Sequence, residues 1–188
     1  PQARMGSACS GPGRSRATVA AEPAPGPTPS PVVGIFWDYE NVPCPRGVPA
    51  GDVAGWLRRT ALALAPGAVV DTFAAFLDTR RTNPGRLADL TAQGVDVIHA
   101  VANVRKCAEA SDRALATALL LWLWEQGGAA AAVVVCTADG DFGPLLRKIV
   151  DRRRVEVLLA TRSADRLPAA LKGATPHVAD LDAELGPG

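Results

Sequence analysis

The chain is poor in the residues on which several classes of protein depend. Its four cysteines form no Cys-x-x-Cys pair and it has only two histidines, which argues against a zinc cluster and against a disulfide framework. No apolar stretch reaches the roughly 20 residues that span a membrane. The net charge is +1, so binding of a polyanion would depend on local basic groups. The cysteine pattern indicates a reducing, intracellular compartment, and we expect the cytoplasm.

Composition divides the chain into three parts. Residues 1–30 are rich in Pro, Gly, Ser and Ala and contain one acidic residue, so this segment buries too little apolar surface to offset the entropy of ordering it. We expect a disordered tail there, and its arginines also fit an organelle import segment. Residues 31–182 are expected to form one domain, followed by a short tail at 183–188.

From residue 31 onward, apolar runs of strand length alternate with helical patterns. The predicted strands are 32–37, 69–77, 95–101, 130–136, 155–160 and 176–179, and the predicted helices are 51–64, 84–93, 108–126, 141–151 and 165–172. We expect Asp52 to cap the first helix and Trp122 and Trp124 to pack in the core. This alternation predicts an α/β fold with a mostly parallel central sheet and helices on both faces, a three-layer α/β/α sandwich.

Two acidic turns, each directly behind an apolar run, are the features that most restrict function. VVGIFWDYEN delivers Asp38, Glu40 and Asn41, and AAVVVCTADGDF delivers Asp139 and Asp141. In an open parallel sheet, functional groups gather beyond the carboxyl ends of the strands, where strand order reverses. Carboxylates brought together there repel one another and resist ionisation unless a cation lies between them. The two turns therefore predict a divalent-metal site.

A third acid, Asp112, lies in the first turn of the third predicted helix, so its carboxylate could face the same edge. Structural roles are the alternatives. Asp38 or Asn41 could stabilise the turn after the first strand, and Asp141 could cap the helix behind it, which would leave Asp139 without a role. Oxygen ligands without histidine or cysteine suit one or two Mg²⁺ or Mn²⁺ ions.

Three motifs in order, W-D-x-E-N, K-x5-D-R-A-L and [ST]-x-D-G-D-F, resemble the NYN domain, a PIN-like nuclease family, and most closely its meiosis-regulator (limkain-type) group. The resemblance covers residues 31–182. It implies a Rossmann-like, PIN-like fold and a metal-dependent endoribonuclease that hydrolyses RNA with a metal-activated water, in RNA processing or the regulation of gene expression. Matched motif by motif, it implies four catalytic, metal-binding acids, Asp38, Asp112, Asp139 and Asp141. It also implies three polar neighbours that would contact substrate, Asn41, Lys106 and Thr137.

Basic residues for substrate lie in two loops near the same edge, Arg80 and Arg81 after the second strand and Arg105 after the third. The expected partner is single-stranded RNA, and we expect no association with a membrane. The protein could also form a homodimer, and a longer parent chain could carry further RNA-binding domains. A catalytically silent module that binds RNA or protein is the alternative, although the four intact acids favour the enzyme. The resemblance also brings a link to peroxisomes, yet the C-terminal Leu-Gly-Pro-Gly is no address of the SKL kind.

Overall fold

A computed structural model describes residues 30–100, 110–152 and 155–186. The predicted tail before residue 30 and the loop that carries Arg105 and Lys106 lie outside the described residues. Within those ranges the chain forms six strands and five helices, which alternate except that a 3-10 turn, and no helix, lies between the fifth and sixth strands. The strands are β1 (Val32–Asp38), β2 (Val69–Leu77), β3 (Asp96–His99), β4 (Ala130–Cys136), β5 (Glu156–Thr161) and β6 (His177–Asp180). The helices are α1 (Ala50–Leu64), α2 (Pro84–Ala92), α3 (Ala110–Gln126), α4 (Gly143–Arg152) and α5 (Leu181–Leu185).

All six strands pair in parallel in one sheet, in the order β3-β2-β1-β4-β5-β6. The chain moves outward from β1 to β3, returns to the centre, and moves outward the other way from β4 to β6. Strand order therefore reverses between β1 and β4, and α/β proteins bind ligands outside the carboxyl ends of such a pair. Because Trp37 is in register with Cys136, the next residues along the two central strands are Asp38 and Thr137.

Side chains of β1 alternate between two cores, one on each face of the sheet. Ile35 and Trp37 pack with α1, α2 and α5, whereas Phe36 packs with α3 and α4. A Cβ at Gly34 would lie 2.8 Å from Phe36 and 3.0 Å from the ring of Trp122, so glycine lets α3 approach this strand. Helices thus cover both faces of a parallel sheet, and the predicted three-layer α/β/α fold is confirmed.

Two local predictions are wrong. In place of the helix predicted for 165–172 the chain forms one 3-10 turn, Ala164–Arg166, followed by further turns. Leu167 takes the extended conformation that a residue before proline favours, which interrupts the helical pattern. Asp52 does not cap α1, because the helix begins two residues earlier; Asp52 instead lies in the first turn, where the helix dipole favours a negative charge.

Helix α3 presents an apolar surface to solvent. Trp122 is buried against the sheet as predicted, but Trp124 is 73% exposed, so its expected core position is wrong. Two residues apart on a helix, the two side chains point about 200° away from each other and cannot both face the sheet. Leu120 and Leu121 are also exposed. Despite this apolar character, α3 and the other helices of the described ranges are too short or too polar to cross a membrane.

Candidate active site

Asp38 ends β1 at the reversal of strand order and is 1% exposed. Three hydrogen bonds hold its carboxylate. Oδ2 accepts from Asn41 Nδ2 at 2.7 Å and from Thr137 Oγ1 at 2.8 Å, and Oδ1 accepts from the backbone N–H of Asn41 at 3.3 Å. Burial raises the pKa of Asp38, the three hydrogen bonds offset part of this, and the negative charge of Asp139 raises the pKa further. The carboxyl group is therefore fixed in orientation but resists ionisation.

Asn41 and Thr137, both predicted to contact substrate, hold Asp38 in place. The buried Thr137 hydroxyl donates to Asp38 and accepts from the backbone N–H of Asp139 at 3.1 Å. One side chain thereby ties the end of β4 to the end of β1. A direct contact with substrate stays a prediction for both residues.

Asp139 lies just beyond β4, where its Oδ1 accepts from the backbone N–H of Asp141 at 2.9 Å and caps the 3-10 turn Gly140–Phe142. The prediction that Asp141 caps the following helix is wrong, because this turn begins one residue before Asp141. The side chain of Asp141 is exposed, and together with Asp112 it lines a pocket of about 280 Å³. Of the two acids of the D-G-D motif, Asp139 is therefore the one that caps a turn.

Asp112 lies half-buried in the first turn of α3, and its Oδ1 is buried without a hydrogen-bond partner in the described part of the chain. Burial raises the pKa of Asp112 to about 6, with further contributions from the negative charges of Asp38, Asp139, Asp141 and Glu40. Charges raise a pKa in this way only when they lie near the group, and Asp112 also shares a pocket with Asp141. The structure therefore gathers all four predicted acids at the carboxyl edge of the sheet. We call these four acids together with Glu40 the acidic cluster.

Glu40 was counted in the first acidic turn but given no specific role at the site, and the neighbouring Asp78 was given none at all. Glu40 Oε1 accepts from the backbone N–H of Asp78 at 3.1 Å, and Oε2 accepts from Ser111 Oγ at 3.3 Å, so Glu40 joins β1, β2 and α3. Asp78 directly follows β2 and is 7% exposed. The sequence pattern that pointed to Asp38 also applies to Asp78, because Asp78 directly follows an apolar strand in the same way.

The predicted Arg80 and Arg81 lie in the loop after β2, beside the acidic cluster. Asp78 fixes the guanidinium of Arg80, with Nε donating to Oδ1 at 3.1 Å and Nη2 to Oδ2 at 3.4 Å, and this contact lowers the pKa of Asp78. The side chain of Arg80 is nevertheless 59% exposed, which leaves a held cation facing water. Arg81 is exposed and borders a polar pocket of about 370 Å³ whose other lining residues are Tyr39, Glu40, Pro43, Asp78 and Thr82.

The acidic cluster suits a hard divalent cation but is not a closed cage. Over the described ranges, no three acidic, histidine or cysteine side chains are gathered closely enough to hold a metal ion by themselves. Mg²⁺ usually takes only one or two protein carboxylates and fills its other positions with water and substrate phosphate. Asp112 could supply such a carboxylate, because its Oδ1 has no partner among the described residues and the charges of Asp38 and Asp139 lie near it. The donor set therefore fits Mg²⁺ or Mn²⁺.

Comparison with protein-family profiles relates this geometry to a known group. The profile of the NYN domain matches residues 32–182, which span the chain from β1 into α5. The chain belongs to the NYN domain family. NYN domains form a PIN-like nuclease family, and the match covers the NYN domain as a whole, so the limkain-type subgroup stays a prediction.

Among solved structures, this NYN domain is similar to a protein of unknown function from Vibrio parahaemolyticus. The two share 15% sequence identity and superpose with a TM-score of 0.59, over 81% of this chain and 94% of that chain. At this identity the likeness supports the fold alone. No curated protein matches the sequence.

Proposed function

We propose that this NYN domain is a Mg²⁺- or Mn²⁺-dependent endoribonuclease that hydrolyses single-stranded RNA at the acidic cluster. The observation that carries the proposal is Asp112, whose buried oxygen has no partner in the described residues and lies near four other carboxyl groups. An unpaired carboxylate so placed disfavours the folded state unless a cation neutralises it. Groups with strongly shifted pKa values of this kind concentrate at functional sites.

The acids that would hold the ion are Asp38, Asp112, Asp139 and Asp141. When bound, Mg²⁺ or Mn²⁺ would lower the pKa of a water molecule and neutralise charge on the phosphodiester. The protein's own contribution is to hold the acids in fixed positions. Asn41 and Thr137 keep the carboxylate of Asp38 in one orientation. The Thr137 hydroxyl, which donates to Asp38 and accepts from the backbone N–H of Asp139, ties the end of β4 to the end of β1.

RNA would approach along the carboxyl edge of the sheet. Arg80, held by Asp78, and the exposed Arg81 supply cations there for phosphate oxygens, and Arg105 and Lys106 stay predicted contacts. Such an activity would serve RNA processing or the regulation of gene expression.

Replacement of Asp139 by Asn tests the proposal. Asn keeps the oxygen that caps the 3-10 turn but removes the charge, so we expect the fold to persist and metal-dependent cleavage to fall by at least about a hundredfold. The measurement follows cleavage of labelled single-stranded RNA in Mg²⁺, in Mn²⁺ and in chelator. Asp151→Asn is the matched control, because Asp151 is exposed near the far end of α4.

Full Mg²⁺-dependent cleavage by Asp139→Asn would contradict the assignment of this acid. If the unaltered protein cleaves no RNA in either metal, the endoribonuclease proposal fails as a whole. The same fold would then be better described as a catalytically silent module that binds RNA or protein. Asp38→Asn, which keeps the hydrogen bond from Thr137, gives an independent second variant for the same assay.

A further inference from the structure

A second arginine-bearing pocket lies beside the acidic cluster, on the side opposite Arg81. It has a volume of about 250 Å³ and is lined by Ala138, Thr161, Arg162, Ser163, Arg166 and Asp182. Ala138 stands between Thr137 and Asp139, so this pocket borders the residues that end β4. Two arginines against one aspartate leave it with one net positive charge. We call it the β5 pocket, because most of its lining follows the end of β5.

The walls of the β5 pocket are held by specific contacts. Arg162 Nε donates to Asp182 Oδ1 at 2.6 Å and Nη1 donates to the backbone oxygen of Pro43 at 3.5 Å, so its guanidinium is fixed with further N–H donors unused by these two bonds. Asp180 accepts from the backbone N–H of Ala164 at 2.8 Å, which anchors the turn that carries the pocket. A cation held in place loses little side-chain entropy when it binds an anion.

Arg166 differs from Arg162 because its charge is not neutralised. Its side chain is exposed, and it makes no ion pair with any residue in the described ranges. Ser163 is half-buried, and its hydroxyl is not used to cap the 3-10 turn behind it. A guanidinium without an ion pair and a hydroxyl in the same pocket are a combination that binds phosphate oxygens.

The strand order places the two arginine pockets on opposite sides of the acidic cluster. Arg81 follows β2 and the β5 pocket follows β5, with β1 and β4, which carry Asp38 and Asp139, between them. Three inter-strand steps separate β2 from β5, a distance of about 14 Å. An extended RNA strand that follows this edge would pass from Arg81, across the acidic cluster, to the arginines of the β5 pocket.

We propose that the β5 pocket binds a backbone phosphate of the RNA strand on one side of the cleaved bond, with Arg166 as the main contact and Arg162 and Ser163 beside it. The proposal rests on the proposed endoribonuclease function and adds the path of the substrate. Arg81 contacts a phosphate on the other side. The acidic cluster would therefore cleave the RNA between two bound phosphates. Such a site acts on a bond inside the RNA strand and not at its end.

Binding measurements on Arg166 variants test the β5 pocket. The probe is a fluorescein-labelled single-stranded RNA, followed by anisotropy in chelator over a series of salt concentrations. For Arg166→Ala we expect about three- to tenfold weaker binding, as for loss of one exposed charge-assisted contact. The slope of log affinity against log salt should fall by about 0.7, the value for one phosphate contact on a single strand. Arg166→Lys should restore most of the slope, because it keeps the charge.

Arg152→Ala is the matched control, since Arg152 is also an exposed arginine and lies at the far end of α4. Equal affinity and equal salt slope for Arg166→Ala and Arg152→Ala, or no binding of RNA by the unaltered protein, would overturn the pocket. Cleavage in Mn²⁺ is measured beside binding. If the unaltered protein cleaves RNA but Arg166→Ala binds it as tightly as before, the β5 pocket proposal is wrong and the nuclease proposal stands. If Arg166→Ala changes the salt slope but the unaltered protein cleaves no RNA, the pocket proposal stands and the nuclease proposal is wrong.

Discussion

Asp112→Asn is expected to stabilise the metal-free protein at neutral pH and at the same time to remove metal-dependent cleavage. In the folded protein the pKa of Asp112 is raised to about 6, first by burial and then by the charges of its four acidic neighbours. An aspartate in an unfolded chain has a pKa near 4. Ionised Asp112 therefore opposes folding, and an uncharged amide of the same shape removes that opposition.

The sign of this effect fixes its pH range. Below about pH 4 the group is protonated in both states, and Asp112 has no electrostatic effect on stability. Between about pH 4 and 6 the unfolded chain ionises first, so the folded protein loses stability as pH rises, and the loss is complete above about pH 6. Two pKa units correspond to about 2.7 kcal/mol, which screening of this partly exposed group reduces to about 1 to 2 kcal/mol.

Denaturant unfolding in chelator measures the prediction. Asp112→Asn should be about 1 to 2 kcal/mol more stable than the unaltered protein at about pH 7.5 and nearly equal to it at about pH 4. Added Mn²⁺ should stabilise the unaltered protein, by about 2.7 kcal/mol at a hundredfold excess over the dissociation constant, and should stabilise the variant much less. Cleavage should fall by at least about a hundredfold. A variant that is less stable at neutral pH would mean that the charge of Asp112 is satisfied in the fold and that no cation is required there.

The strand ends could be predicted from sequence because their signal is local. β1 and β4 are apolar runs buried on both faces, each stops at polar residues, and parallel pairing brings those residues to one edge. The parallel pairing of the two strands is sufficient to place Asp38 and Asp139 together. It does not require knowledge of any side-chain orientation, and for this reason the gathering of the acids could be derived before the structure.

Features that depend on side-chain partners could not be predicted in the same way. From the sequence, Asp141 was the acid considered as a cap, but the 3-10 turn begins at Gly140 and Asp139 caps it. Thr137 was expected to contact substrate, yet its bond to Asp38 joins residues that are 99 positions apart in the chain. Arg166 was given no role because a helix was expected over 165–172, where the chain forms a 3-10 turn and Leu167 is extended instead.

Gly143→Ala is expected to destabilise the protein by about 2 to 3 kcal/mol, although alanine is the better helix former. A Cβ at this position, the first residue of α4, would lie 2.7 Å from the carbonyl carbon of Ala170 and closer still to its oxygen. Both atoms are backbone, so the segment after the β5 pocket would have to move, and overpacking of this kind costs about 1 to 3 kcal/mol. Arg147 also donates to that oxygen at 2.6 Å, and this bond would be strained or lost.

Gly55→Ala separates the clash at Gly143 from helix propensity. Gly55 lies inside α1, and a Cβ there would meet only the end of the flexible Arg59 side chain at 3.2 Å, so this variant should be more stable by about 0.5 to 1 kcal/mol. Thermal and denaturant unfolding of the two variants should therefore move in opposite directions. Gly143→Ala should also weaken cleavage, because the displaced segment contacts the D-G-D turn, where a Cβ on Gly140 would lie 3.3 Å from Pro168. Equal stabilisation by both substitutions would show that the 168–170 segment yields without penalty and does not support the acidic cluster.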